Sequence, residues 1–387
     1  MRRIFGALLA AVIAPATAYA QIDIPVIYLK QEQEQPPVLS NLDPIPEDRG
    51  LAGAQLGLSD NATTGGFMGH NYTLEIIDVP LDGDLQAAAQ DALTRSPYII
   101  LDAPAASQLS VADLPEAQNA ILFNGSAYDS DLRGDNCRAN LLHTLPSNAM
   151  RADALMQFVL FKRWDDLVMV KGAHADDVTF ADSLNASATK FGLKIDKTKD
   201  WIFDADMRRN AAQEVPLFTQ ELGDYDLLLL ADELHDFGRY IAYNTWEPRP
   251  VAGSEGLVPV AWAPVVEQWG AAQLQSRFVD QSARDMTPRD YGAWAAMRAI
   301  GEAVTRTNSA DPATLRDFIL SDQFELAGFK GRPLSFRTWN GQLRQPIPLV
   351  TERALVAQAP LPGYLHQRTE LDTLGIDEPE STCEAFK

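Results

Sequence analysis

Short apolar runs alternate with helically spaced segments along the chain. Ile24-Pro25-Val26-Ile27-Tyr28-Leu29 reads as a first strand, and the Pro-rich stretch Pro36 to Pro46 as a surface loop that cannot be helical. Gly50 to Ala62 has helical spacing and stops at Gly65-Gly66. A strand at Thr73 to Ile77 and a helix at Asp84 to Leu93 follow, with Asp84 placed to cap the helix. Tyr98-Ile99-Ile100-Leu101 and Ala120-Ile121-Leu122-Phe123 read as further strands.

A second series starts near residue 148. Ala149 to Phe161 is a helix with Met150, Leu155, Phe158 and Val159 on one side. Leu167 to Val170 is a strand, Asp177 to Lys190 a helix, and Leu227-Leu228-Leu229-Leu230 a strand buried on both faces. Continuous apolar runs separated by helices mark parallel sheets covered on both sides, so the pattern predicts two α/β units of similar design. A long helix runs from Pro288 to about Thr305, capped by Thr287 and closed by Asp290 in a capping box. Asp311-Pro312 opens another. Ser335 to Thr338 and Gln342 to Gln345 flank Asn340-Gly341, a two-residue hairpin signal.

The first twenty residues change the picture. Arg2 and Arg3 precede an apolar run from Phe5 to Ala14, and Ala18-Tyr19-Ala20 puts small residues at −3 and −1. This is a secretory signal peptide with cleavage expected after Ala20. No later stretch is apolar enough to cross a bilayer, so the mature protein is expected in the periplasm. Export gives meaning to the two cysteines, Cys137 and Cys383. An oxidising compartment favours pairing them; two separate buried thiols are the alternative. A bridge would close a loop of roughly 245 residues, for which the chain-entropy model gives about 5 kcal/mol as an upper figure.

The 387 residues carry 32 Lys and Arg against 53 Asp and Glu, a formal charge of −21. Phosphate backbones repel such a chain, and no local basic patch offsets this, so nucleic acid is excluded as a partner. There is no Gly-x-Ser-x-Gly elbow, His-Glu-x-x-His, phosphate loop or dinucleotide fingerprint, so no enzyme and no cofactor are expected. Asp129 to Asp135 superficially matches a calcium loop but fails at Arg133 and at Asn140. Asp232, Glu233, His235 and Asp236 crowd together without a pattern that aims them at one point. No metal is expected.

Four stretches resemble one family. They are Gly53-Ala54-Gln55-Leu56 with Gly65-Gly66, Gly69 and Tyr72-Thr73-Leu74-Glu75; Tyr98 to Ser107; His143-Thr144-Leu145-Pro146-Ser147 with the helix and strand after it; and Phe336 to Val350 around Asn340-Gly341-Gln342. Their order resembles type I periplasmic binding proteins of the branched-chain amino-acid class, the receptors of ABC importers. The resemblance implies two Rossmann-like lobes with parallel sheets joined by three crossovers, a small-molecule ligand between them, an ABC permease as partner and a monomer. On that template lobe 1 is 21–145 plus 257–332, lobe 2 is 146–256 plus 333–356, and 357–387 is a tail. The crossovers fall near His143–Ser147, Glu255–Trp262 and Gly331–Ser335.

A narrower likeness rests on Leu230-Ala231-Asp232, Phe237-Gly238-Arg239-Tyr240, Trp246-Glu247-Pro248-Arg249-Pro250 and Glu267 to Leu274. These resemble the subgroup associated with PQQ-dependent alcohol dehydrogenase systems. That context leaves a second function open: an accessory protein binding a dehydrogenase, its cofactor or its metal.

Ligands of parallel sheets sit beyond the carboxyl ends of the strands. That rule and the resemblance select the candidate site. Ala105, Ala106 and Ser107 open a helix suited to an anion, or Ser107 is a simple cap. Asn124, Gly125 and Ser126 offer backbone contacts, or form an ordinary turn. His174 follows Val170. The resemblance implies an acid for a ligand ammonium, and Asp232 or Glu233 would serve; otherwise they are solvated or cap the next turn. Ser254 lies in a glycine-flanked hinge, and Trp262 stacks on a ligand or sits in a core. The family often has Ser or Thr where Ala105 and Ala106 stand. Branched-chain amino acids are therefore expected to bind poorly, and a less anionic molecule to be preferred.

Overall fold

The computed structural model describes residues 21–34, 45–203 and 210–387. The leader and most of the Pro36–Pro46 segment lie outside them. β1 (Ile22–Gln31), α1 (Leu51–Met68), β2 (His70–Val79), α2 (Leu85–Leu93), β3 (Tyr98–Asp102), α3 (Ala105–Ala112), β4 (Ile121–Asn124) and β5 (Leu141–His143) come first. Their strands form one parallel sheet in the order β2-β1-β3-β4-β5. Alternation along each strand feeds two cores. Ile24, Val26, Tyr28 and Ile100 face one side, and Ile27, Leu29, Ile99 and Leu101 the other. That is why these runs are apolar throughout.

α4 (Asn148–Lys162), β6 (Leu167–Lys171), α5 (Ala175–Lys190), β7 (Ile195–Asp200), α6 (Ala211–Gln220), β8 (Leu227–Ala231), α7 (Gly238–Ile241) and β9 (Val251–Gly253) build the second unit. Its parallel sheet runs β7-β6-β8-β9. Leu227 and Leu229 pack under α4 and α5, while Leu228 and Leu230 pack towards α6. The all-leucine strand is explained by cover on both faces.

The chain then returns. β10 (Val258–Pro259) leads to α8 (Ala271–Ser282), α9 (Pro288–Thr307) and α10 (Pro312–Ile319), which join the first core. α9 lies directly on α1. A side chain at Gly53 would put Cβ 1.9 Å from the Asp290 carbonyl oxygen, so only glycine permits this approach. β11 (Leu326–Ala327), β12 (Pro333–Phe336) and β13 (Leu343–Arg344) form a small antiparallel sheet, and β14 (Ile347–Thr351) and β15 (Ala354–Ala359) another with β10.

The expected α/β class with parallel sheets is observed. The caps at Asp84, Thr287 with Asp290, and Asp311 form as the sequence predicts. Some details differ. α1 runs through Gly65 and Gly66 to a left-handed Gly69, because Gly65 is needed against the His70 carbonyl rather than as a stop. Asn340-Gly341 is not a two-residue turn. Arg337 N–H donates to the Gln342 carbonyl at 2.9 Å, leaving four residues in the loop, with Gly341 at φ +66°. Leu334, Phe336, Leu343 and Val350 pack in the first core, and Ile347 and Leu349 in the second. Ala357–Ala359 remain paired in β15 before the tail begins.

The tail is anchored. Arg337 Nε and Arg344 Nε reach Asp372 Oδ1 at 2.9 and 2.8 Å, and Asp153 Oδ2 accepts the Gly375 N–H at 2.8 Å. Cys137 and Cys383 are disulfide-bonded across 246 positions of sequence. Pairing, not two buried thiols, is what the fold brings about.

Candidate ligand site between the two sheets

Beyond the carboxyl ends of the strands, the loop after β4 comes together with the segments after β8 and β9 around Arg151 and Tyr128. The Arg151 guanidinium lies 4.9 Å from the centre of the Tyr128 ring and 4.3 Å from that of Phe180. Tyr128 belongs to the loop after β4, Phe180 to α5, so this cation bridges elements of both units.

The predicted residues take unequal places here. After β3, Ala105, Ala106 and Ser107 form the first turn of α3, with Ala106 exposed and the other two half-buried. Pro104 stands at the cap and offers no side-chain acceptor, so the first-turn N–H groups stay open. After β4, Asn124, Gly125 and Ser126 face inward. Asn124 Oδ1 accepts from Ser126 N–H, Ala127 N–H and Gln108 Nε2 at 3.2, 2.8 and 3.0 Å. Ser126 Oγ bonds the Ala103 N–H and carbonyl at 3.0 and 2.9 Å, and Gly125 N–H donates to the Leu101 carbonyl. This network fastens β3 to β4, and its polar atoms are consumed by it.

In the second unit, Asp232 is fully buried and accepts three backbone N–H bonds, from Asp236, Phe237 and Gly238 at 3.1, 3.1 and 2.6 Å. It caps α7, the alternative left open by the sequence. Glu233 is clasped by Arg151, Oε2 to Nη1 at 2.5 Å and Oε1 to Nη2 at 3.0 Å. Ser254 Oγ donates to Glu233 Oε1 at 2.7 Å and accepts the Asp232 N–H at 2.9 Å. Ser254 therefore aligns both acids. His174 begins α5, half exposed, with Nε2 3.2 Å from Asp236 Oδ2. Trp262 is not brought to the cleft. It stacks on Tyr291 at 5.1 Å, and its Nε1 donates to Gln275 inside the first core.

The electrostatics of these groups follow from burial. Burial pushes the Asp177 carboxyl up to about 6, against N–H bonds from Glu233 and His174 that pull it down. Asp232 is pushed up to about 7 by burial, opposed by its backbone donors. Burial raises Glu233 too, but Arg151 and Ser254 outweigh it and hold the carboxyl below the usual range. A carboxyl whose folded value exceeds its unfolded one binds its proton more tightly when folded. Asp177 thus contributes stability that is complete below about pH 4 and lost as pH rises through about 6. Melting curves from pH 4 to 8 should show Asp177→Asn losing part of the wild type's decline over that window. Equal slopes would refute it.

Three charged residues near the strand ends escaped the sequence reading: Arg49, Arg289 and Arg151. Each left a signal. Arg151 is, with Asp153, one of two buried charges in an otherwise largely apolar helix. Arg289 sits in the first turn of α9, where a cation opposes the helix dipole. Arg49 directly precedes the positive-φ Gly50 that starts α1. The calcium-like loop is built around Arg133, which donates to Ala127, Asp129 and Leu145 carbonyls and to Gln342 Oε1. Among the described residues no group of three or more His, Cys, Asp or Glu is placed to hold a metal.

No protein-family profile matches this chain, and no curated protein matches it. Solved structures do. A branched-chain amino-acid ABC transporter periplasmic ligand-binding protein from Burkholderia xenovorans superposes with TM-score 0.71 at 15% identity, covering 95% of this chain and 100% of that one. A leucine-, isoleucine-, valine-, threonine- and alanine-binding protein from Brucella ovis, in its closed conformation, gives 0.64 at 13% identity, with 88% and 92% covered. A solute-binding protein of an ABC transporter from R. palustris, in complex with benzoate, gives 0.63 at 11%, with 94% and 100% covered. At such identities the likeness is one of architecture, and it is unambiguous: this chain has the type I periplasmic binding protein fold.

Proposed function

We propose that this protein is a periplasmic solute-binding receptor that carries a small molecule to an ABC permease and performs no chemistry on it. One observation carries the reading. Polar and charged groups of both units, Arg49, Arg289 and Tyr128 from one and Arg151 and Glu233 from the other, converge where the strand ends of the two sheets meet. A binding site between parallel sheets belongs at that place. The similar structures point the same way, since they are binding proteins and one holds benzoate. The protein would work as an exported monomer cleaved after Ala20.

The narrower likeness around Phe237–Tyr240 and Trp246–Pro250 supports a place beside PQQ-dependent alcohol oxidation. A second reading gains from the same segments. Tyr243 and Trp246 are exposed there, as are Ile202 and Leu217 on the same unit, an apolar surface that suits an accessory protein docking on a dehydrogenase.

Native mass spectrometry of the purified protein, then a thermal-shift screen of acids, alcohols, amino acids, PQQ and metal ions, separates the readings. The receptor is expected to bind one small molecule at micromolar affinity or better and to contract in small-angle scattering. No ligand in any class, with scattering unchanged, would sink the receptor and leave the accessory protein.

A further inference from the structure

Resting on the receptor reading, we propose that the ligand is a small anion without an ammonium group, its oxyanion held between the guanidiniums of Arg49 and Arg289. The two arginines are brought together by their neighbours. Gly50 N–H donates to Asp290 Oδ1 at 2.8 Å, and Arg49 and Arg289 each stand one residue before that contact. Arg49 is half-buried, and among the described residues no carboxylate lies within ion-pair distance of it. Among the described residues Arg289 has only Asp102 Oδ1, at 3.6 Å, too far for a hydrogen bond. The other oxygen of Asp102 already accepts the Tyr28 hydroxyl at 2.8 Å.

Asp290 does not neutralise them. Its oxygens take Arg284 at 2.8 and 3.0 Å, the Thr287 N–H and hydroxyl, and the Gly50 N–H. Among the described residues, two guanidiniums therefore stand at the strand ends with nearly all their donors unspent. Burial lowers the Arg49 guanidinium to about 10, and Arg289 adds to this by repulsion. Holding such a pair partly desolvated is costly unless an oxyanion joins them. The planar fork of arginine matches a carboxylate or a phosphate, two donors to two oxygens. The open N–H groups of α3, three residues beyond Asp102, add to the same field.

The other half of an amino-acid site is missing. Asp232 is spent on three backbone donors and Glu233 on Arg151 and Ser254, so neither receives an ammonium. The Ala-rich loop led to the expectation of a less anionic ligand. The arginine pair reverses it, because guanidiniums supply what the missing hydroxyls would have supplied.

Calorimetry on the whole mature protein tests this, with short mono- and dicarboxylates (acetate and succinate among them), inorganic phosphate and a phosphate ester. Each acid is run beside its amide or alcohol counterpart, and leucine is included. The expected result is binding of an acid and not of its neutral counterpart. Arg49→Gln and Arg289→Gln should each weaken it about 10- to 100-fold, and Arg289→Lys by less, since it keeps the charge and loses the fork. Whether carboxylates or phosphates bind names the oxyanion. Circular-dichroism melts of each variant establish that it is folded. An amide or alcohol bound as tightly as the acid overturns the anion and leaves the receptor standing, as does a preference for leucine or affinity unmoved in both folded variants. Failure of every class overturns both.

Discussion

Replacing Glu233 by Gln should cost about 3–5 kcal/mol of stability, the usual penalty for stripping a buried charge of its partner. The Arg151 and Glu233 side chains are only 7% and 13% exposed, so water cannot take over the lost bonds. Arg151 keeps its bonds to Asn148 Oδ1 and the Pro259 carbonyl and its place against Tyr128 and Phe180. Its charge, however, is left facing a neutral amide. Ser254 loses its anionic acceptor at the same time. Urea melts would read the loss directly. A change below about 1 kcal/mol would mean that the pair behaves as a surface ion pair. Exchanging both residues for apolar ones of similar size, Arg151→Met with Glu233→Leu, should recover much of the loss, because the attraction and the desolvation it offsets disappear together.

Removing the disulfide is the second large effect. Cys137→Ser with Cys383→Ser should lower stability by about 2–5 kcal/mol, since the long loop closed by the bridge is free in the variant's unfolded chain. Free-thiol titration of the unreduced, denatured wild type should find none. Two reactive thiols there, or an unchanged melt in the variant, would contradict the bond. Ligand affinity should hold, because neither cysteine lies among the residues of the proposed site.

The fold was legible because burial on both faces of a strand leaves a mark on every residue. Leu227 to Leu230 and Tyr98 to Leu101 have no polar face to confuse the reading. Caps such as Asp84 and Thr287 were legible because their chemistry is local. The site was legible only as a set of loops. Asn124 and Ser126 were found at the right strand end, yet both face inward, and nothing in Asn-Gly-Ser distinguishes a network from a ligand contact. Asp232 and Glu233 are adjacent in sequence and opposite in role. Which one meets Arg151 depends on α4, 82 positions away. That Arg49 and Arg289 come together could not be read for the same reason: the contact between their neighbours Gly50 and Asp290 spans 240 positions. Trp262 stayed open between two readings because a stacking partner in a core and one in a cleft have the same sequence; it is the core that holds it.

The anchored tail has a mechanical meaning. Gly375 is bonded to Asp153 and Lys190 of the second unit, while Cys383 is welded to the first through Cys137. The chain thus spans the joint once more beyond β14, and this strap is closed covalently. A strand of protein extends by at most roughly 3.5 Å per residue, so the slack between Ile376 and Cys383 sets a ceiling on how far the back of the joint can spread. For a receptor that closes on its ligand, as proposed above, the tail is a check-chain: cutting it chemically should widen the swing of the two units without touching the proposed site.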